Sequence, residues 1–292
     1  MGIKSIVCIF DGSQDELCAA GYALELAKIF AAHVKFLHIS NDPKNYIVVY
    51  EGGLTSSLEL VESIEQENEV RLKKALSQIK LLTEKYNIPL DKKEFFDHHA
   101  SAQFINKTGY PDTIIASEGI ASDLIVIGHY AKTKDIIYTD NLISAIYNTG
   151  RPVLFLPIQH KIAENTWSDE VVSIAWDGTL ESARAIYNAM PLLERAEKLY
   201  ILTAHKTGKM EDSNLHNPIM EYLNAHGLKP DHIILDSGKL SFAETIFNKA
   251  KDLDSNLLIM GAYGHNRFRE IILGGFTKYM LEKSDIPLLL SH

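Results

Sequence analysis

The sequence has few cysteines, and its basic residues are outnumbered by acidic ones. Cys8 and Cys18 are the only cysteines, and their spacing fits neither a metal site nor a disulfide framework. Lys and Arg total 29 against 38 Asp and Glu, and the net charge of −9 repels nucleic acid and anionic lipid at long range. We therefore expect reduced thiols and no nucleic-acid partner.

Long hydrophobic runs are also missing. No stretch approaches the roughly 18 apolar residues of a membrane span, and residues 1–10 lack the layout of a signal peptide. Hydrophobic residues nevertheless make up 46% of the 292 residues, enough for the core of one large domain or two ordinary ones. We expect no membrane association and a cytoplasmic location.

What the sequence does contain is a repeat. The apolar run 5–10 ends in Asp-Gly-Ser at 11–13, and the run 171–176 ends in Asp-Gly-Thr at 177–179. Uninterrupted apolar runs of this length are typical of parallel strands that are buried on both faces. Each run is predicted to be a central strand.

Each predicted strand is followed by the apolar stripe of an amphipathic helix. The stripe residues are Leu17, Ala20, Leu24, Ala27 and Ala31 after the first strand, and Ala183, Ile186, Met190 and Leu193 after the second. Further apolar runs at 33–39 and 198–204 complete two β-α-β units.

The ends of the two halves also match. Residues 122–128 resemble 255–261, and residues 152–156 resemble 287–290. Residues 159–170 are polar and unpatterned, which is typical of a linker. The chain is interpreted as a tandem duplication with domains at 1–158 and 168–292.

The first half contains an insertion. From Asp11 to Gly128 there are 117 positions, but only 84 from Asp177 to Gly261. The excess comprises a loop at 41–56 and a long helix whose buried stripe is Val61, Ile64, Leu72, Ala75, Ile79 and Leu82. A lid, a partner surface and neutral variation remain open for this loop.

A glycine pattern carries the clearest chemical signal. Gly261 and Gly264 are followed by nine residues and then by Gly274, Gly275, Phe276 and Thr277, where a short helix is predicted to begin. Without a Cβ atom, glycine lets backbone N–H groups approach an anion closely, and a helix N-terminus adds a favourable dipole. The pattern indicates a phosphate-binding loop, although a flexible turn would need the same glycines.

This loop leaves the carboxyl end of a predicted central strand, where open α/β sheets place their ligands. Asp177 ends the adjoining strand and is available to a ribose, a base edge or a metal-bound phosphate. A helix cap is the alternative role for Asp177, and it does not exclude ligand contact.

These motifs resemble the nucleotide-binding motif of the universal stress protein family, and the resemblance covers both halves. Members that bind ATP carry Gly-x-x-Gly, nine residues, and then Gly followed by Ser or Thr, with an Asp at the end of the first strand. Here Gly275 stands in place of the hydroxyl residue, and Thr277 follows two positions later.

The resemblance implies that each half is an open, mostly parallel five-stranded α/β sheet in the order 3-2-1-4-5 with helices on both faces. It also implies that the last strands, 152–156 and 287–290, pair across a pseudo-twofold, so that the chain is its own dimer. A homodimer of the whole chain is left open, and the protein partner is not identified.

The resemblance further implies that the residues closing the second strand, Thr203 and Ala204, line an adenine pocket. The predicted binding residues for ATP or another adenine nucleotide are Asp177, Gly178, Thr179, Thr203, Ala204, Met260, Gly261, Gly264, His265, Gly274, Gly275, Phe276 and Thr277. Mg²⁺ is expected with the phosphates. No metal ligands and no catalytic residues are identified.

The first half keeps an aspartate at residue 11 but loses the loop, because no glycine occurs between Ala131 and Asn141. We expect this half to be a structural partner. Binding of a different small molecule through His129 or Tyr130 is the alternative.

Other functional classes find little support. The P-loop lysine motif and the hydrolase Gly-x-Ser-x-Gly elbow are missing, and no nucleophile with its base is recognisable. His98 and His99, as strand neighbours, would point to opposite faces and not share a metal. The sequence thus favours a stress-associated ATP-binding protein that acts through conformation or a partner. A slow ATPase and an interaction module with a vestigial site are the alternatives.

Overall fold

The computed structural model describes residues 2–43, 57–91, 99–128, 136–157, 170–206, 217–262 and 275–292. The strands in these ranges are β1 (Ser5–Ile9), β2 (His33–Ser40), β3 (Ser101–Thr108), β4 (Leu124–Gly128), β5 (Val153–Leu156), β6 (Val171–Ala175), β7 (Lys198–His205), β8 (Asp231–Asp236), β9 (Leu257–Gly261) and β10 (Leu288–Ser291). The helices are α1 (Leu17–Phe30), α2 (Ser57–Lys85), α3 (Pro111–Gly119), α4 (Ile136–Asn148), α5 (Leu180–Leu193), α6 (Asn217–Ala225), α7 (Phe242–Asp252) and α8 (Gly275–Lys283).

The chain divides into two compact units, Ile3–Thr149 and Gly150–His292. In the first unit the strand order is β3-β2-β1-β4, and all neighbours are parallel. The central strand β1 lies between β2 and β4, and its residues from Ile6 to Ile9 are buried. Burial on both faces is why these positions are apolar without alternation, as predicted.

In the second unit the parallel order is β8-β7-β6-β9-β10, which is the expected 3-2-1-4-5 arrangement. This unit contains a sixth strand, since β5 pairs antiparallel with β10 through Phe155 and Leu288. Among the described residues, the first half of the sequence supplies β1–β5 and the second half supplies β6–β10, five strands each as expected, and the expected pairing of the last strands is the one between β5 and β10. The apolar edge of β10 would otherwise be exposed, and β5 covers it.

Helices cover both faces of the strands. α1 packs against α2 and α3 packs against α4 in the first unit, whereas in the second α5 packs against β9 and β10 and α7 against β7 and α8. The crossovers through α5 and α7 run in opposite directions along the sheet, so right-handed connections place these helices on opposite faces.

The long helix predicted in the first half is confirmed as α2, with Ala75 and Ile79 fully buried. Most of the 41–56 loop, together with residues 129–135 and 158–169, lies outside the described residues. Cys8 is buried, Cys18 is partly buried, and the two do not form a disulfide with each other. Across the described part of the chain, no helix is long and apolar enough to cross a membrane.

Candidate functional site

A cavity of about 220 Å³ lies in the second unit at the carboxyl ends of β6, β7 and β9. β7, the next strand along the chain, pairs with one edge of β6, and β9 pairs with the other edge. This is the point where the strand order reverses, and open α/β sheets bind ligands there. The fold therefore forms its cavity where the glycine loop begins.

The cavity has mostly apolar walls and a few polar groups, the usual composition of a small-molecule site. Six predicted residues line it, namely Asp177, Ala204, Met260, Gly261, Phe276 and Thr277. Six others that the sequence reasoning did not name also line it, namely Ala175, Trp176, Ser182, Leu202, Phe242 and Ile246.

The turn after β6 is held by Asp177. Its Oδ1 accepts hydrogen bonds from the Thr179 backbone N–H at 3.0 Å and from the Thr179 hydroxyl at 2.6 Å. Gly178 between them has a φ of +73°, which glycine adopts without strain. Asp177 is exposed and reaches the cavity, and the alternative role of helix cap falls to Thr179 and not to Asp177.

Thr179 is the N-cap of α5. Its Oγ1 accepts a hydrogen bond from the Ser182 backbone N–H at 3.3 Å, and the Ser182 hydroxyl donates to the Thr179 carbonyl at 2.9 Å. The Thr179 hydroxyl is thus hydrogen-bonded within its own turn, and its role is to position the start of α5. Through this cap the first turn of α5 lies at the cavity wall, where Ser182 lines it.

Gly261 allows the end of β9 to lie close to the first turn of α5. A Cβ atom at this position would lie 2.7 Å from the Ser182 nitrogen and 2.8 Å from the Glu181 Cβ. The end of β9 therefore contacts the first turn of α5 through bare backbone, and Gly261 is required for packing as well as for any ligand.

The start of α8 forms another wall. Phe276 and Thr277 line the cavity from its first turn, and Thr277 is buried. No atom of the described residues lies within 4 Å of a Cβ atom placed on Gly275. Gly264, His265 and Gly274 lie outside the described residues.

Thr203 does not line the cavity. Side chains alternate along a strand, and Leu202 and Ala204 point into the cavity while the buried Thr203 points away. Its hydroxyl lies 3.2 Å from His232 Nε2 on β8. Period-two alternation was available from the sequence, and it would have grouped Leu202 with Ala204.

The corresponding turn of the first unit is covered by α2. Arg71 Nη2 lies 3.8 Å from Asp11 Oδ2, and a Cβ atom on Gly12 would lie 3.0 Å from the Ala75 Cβ. Burial would raise the pKa of Asp11, but hydrogen bonds with Glu16 and Ser13 and the Arg71 charge hold that pKa below its usual value. The Asp11 carboxylate is thus paired with the Arg71 guanidinium within the fold.

Glu16 occupies the place that Ser182 has in the second unit. A Cβ atom on Gly128 would lie 3.3 Å from the Glu16 Cα, as one on Gly261 would lie 2.7 Å from the Ser182 nitrogen. Glu16 and Ser182 each lie five positions after the aspartate of their turn. Glu16 is completely buried, and its carboxylate accepts a hydrogen bond from the Asp11 backbone N–H. A larger carboxyl side chain therefore replaces a small hydroxyl at the equivalent position.

Comparisons with known proteins agree on one family. The model of the universal stress protein family matches residues 2–134 and 171–292. The chain is 24% identical to universal stress protein Slr1230 of Synechocystis sp., over 98% of this chain and 99% of that protein. Both matches span the two halves.

Solved structures show the same fold. A universal stress protein from Archaeoglobus fulgidus aligns with a TM-score of 0.69 at 16% identity, covering 98% of this chain and 97% of that one. A protein described as a putative universal stress protein from Pseudomonas aeruginosa aligns with a TM-score of 0.59 at 17% identity, covering 99% and 93%. With the family model matching both halves, the chain belongs to the universal stress protein family, as a member with two tandem copies.

Proposed function

We propose that the second unit binds an adenine nucleotide, ATP with Mg²⁺, and that the chain is a cytoplasmic stress-associated protein acting through a nucleotide-dependent conformation or partner. The observation that carries this proposal is the cavity where Asp177, Gly261 and Thr277 meet. Asp177 after β6 supplies a carboxylate, Gly261 at the end of β9 supplies backbone without a side chain, and Thr277 in the first turn of α8 supplies a hydroxyl.

Two helix N-termini supply the anion-binding chemistry. α5 begins at Leu180 and α8 begins at Gly275, and both first turns reach the cavity. The Ser182 N–H at the start of α5 is already bonded to Thr179, so α5 is proposed to act through its dipole and α8 to supply backbone N–H donors to a phosphate. Gly264 and Gly274, from the sequence motif, are proposed to add the loop amides.

The donor set fits Mg²⁺ held mainly by the phosphates. Asp177 is the carboxylate among the described cavity residues, and its Oδ1 already accepts two hydrogen bonds. No group of three His, Cys, Asp or Glu side chains among the described residues is arranged to bind a metal. Mg²⁺ commonly uses one carboxylate, water and substrate phosphates, which agrees with this set.

The first unit supports a stoichiometry of one nucleotide per chain. Arg71 neutralises Asp11, Ala75 packs on Gly12, and the larger Glu16 side chain fills the place that Ser182 has in the second unit. The asymmetry between Glu16 and Ser182 agrees with the loss of the glycine loop from the first half.

Calorimetric titration of ATP tests the proposal. The wild type is expected to bind one ATP per chain, and a Gly264→Val, Gly274→Val variant is expected to lose binding because the new side chains block the loop amides. Gly2→Val is the matched control, since Gly2 does not line the cavity and a Cβ atom there meets no described atom within 4 Å. The absence of heat with wild type would overturn the proposal and favour an interaction module, whereas two sites would overturn the stoichiometry.

Phosphate release separates binding from hydrolysis. A rate no higher than the blank supports a nucleotide-binding regulator. Release above the blank that is abolished by Asp177→Ala would favour a slow ATPase, in which a bound metal and positioned phosphates promote attack by water.

A further inference from the structure

Trp176 carries a buried hydrogen-bond donor for which the described residues supply no acceptor. The residue follows β6 directly, and its backbone N–H donates to the Leu202 carbonyl at 2.9 Å. Its side chain lines the cavity, and its indole Nε1 is buried with no acceptor among the described residues. An indole N–H can only donate, and leaving one buried and unpaired costs about 1–3 kcal/mol.

The neighbouring polar groups of the cavity have partners of their own. The Asp177 carboxylate accepts from Thr179, and the Ser182 hydroxyl donates to the Thr179 carbonyl. Trp176 therefore differs from them, because its side chain lines the cavity while its indole N–H has no partner among the described residues.

The walls around this donor suit an aromatic base. Leu202, Ile246 and Met260 supply aliphatic or thioether surface, and Phe242 adds a ring that is 44% exposed. A phosphate would be poorly solvated against such walls, whereas a planar base buries its faces and presents ring nitrogens at its edge. Phosphates are better served by the N-terminus of α8 and Thr277.

We propose that the Trp176 indole N–H donates a hydrogen bond to an unprotonated ring nitrogen of the bound purine, which makes Trp176 a base-recognition residue. This inference rests on the proposed function and names the contact that selects the base. A purine offers N1, N3 or N7 as acceptors for a single donor. The walls hold the base, and Trp176 fixes its orientation.

The first test removes the donor and keeps the ring. Trp176→Phe is expected to weaken ATP binding by about 3–10-fold, the effect of one lost hydrogen bond between uncharged groups. Trp167→Phe removes the only other tryptophan and is expected to bind ATP like wild type. Wild-type affinity in Trp176→Phe would overturn the inference.

The second test removes the acceptor and needs no substitution in the protein. Titrations with 1-deaza-, 3-deaza- and 7-deaza-ATP replace one ring nitrogen at a time with carbon. One analogue is expected to bind the wild type more weakly than ATP does. Trp176→Phe, which lacks the donor, is expected to bind that analogue and ATP with the same affinity. If every analogue loses as much affinity relative to ATP in Trp176→Phe as in the wild type, the contact is excluded.

Fluorescence provides an independent readout. In Trp167→Phe, Trp176 is the sole tryptophan, and its emission is expected to shift when ATP engages the indole N–H. An unchanged spectrum at saturating ATP, with binding verified by calorimetry, would overturn this inference alone. A wild type that binds no nucleotide would instead overturn the proposed function, and the Trp176 contact with it.

Discussion

Gly261 lies so close to Ser182 that a Cβ atom at residue 261 would stand 2.7 Å from the Ser182 backbone nitrogen. We predict that Gly261→Ala lowers the free energy of unfolding by about 1–3 kcal/mol, because α5 must move away from β9. The thermal unfolding midpoint measures this loss. Gly275→Ala serves as the control and is expected to leave the midpoint unchanged. Equal midpoints for both variants would contradict the close packing.

Gly275 is the position where the binding motif departs from the family pattern. We predict that Gly275→Ser raises ATP affinity by about 2–10-fold, because a hydroxyl at the start of α8 adds one hydrogen bond to a phosphate. A serine Cβ atom meets no described atom within 4 Å there. Calorimetry measures the gain, and Gly275→Ala separates the hydroxyl from the added Cβ. A gain of the same size in both variants would disprove a role for the hydroxyl.

Asp177 and Asp11 occupy equivalent turns but differ in their surroundings. Asp177→Ala is predicted to weaken ATP binding about tenfold or more, since it removes a charged group from the cavity together with the acceptor that holds the turn. Asp11→Ala is the matched control, because Arg71 and α2 already cover that turn. If both substitutions weaken binding alike, the inferred asymmetry is wrong.

His38 makes stability depend on pH. Its Nδ1 donates to the Phe10 carbonyl at 3.0 Å, and burial lowers its pKa, with the Arg71 charge acting in the same direction. The unfolded chain, with an imidazole pKa of about 6.5, therefore binds this proton first as the pH falls. The free energy of unfolding should decrease from about pH 7 down to the folded pKa of His38.

His38→Asn tests this relationship, because its amide keeps a donor towards Phe10 but does not titrate. Urea unfolding at several pH values between about 7 and 5 should give a shallower decrease for the variant than for wild type. His33 retains a pKa lowered first by burial, so part of the slope should persist. Identical slopes in both proteins would refute the assignment to His38.

Much of the fold could be predicted because its signals are local. The apolar runs that became β1 and β6 and the stripe that became α2 depend on periodicity within one element. The pairing of β5 with β10 joins residues that are far apart in sequence, and it was expected from the family resemblance and not from any local pattern. Six cavity residues were missed, since apolar residues such as Leu202 and Ile246 resemble ordinary core.

The sequence by itself determined the duplication, the order of strands and helices, and the glycine motif after β9. The missing loop glycines already favoured the second half as the binding half, and only the tertiary structure decided how each aspartate is surrounded. Asp11 and Asp177 have nearly identical local sequences, yet Arg71 reaches Asp11 from a helix 60 positions away, while Asp177 remains exposed beside Trp176. The physical reason is that local patterns fix backbone geometry, whereas the packing of distant helices determines which polar groups are paired within the fold.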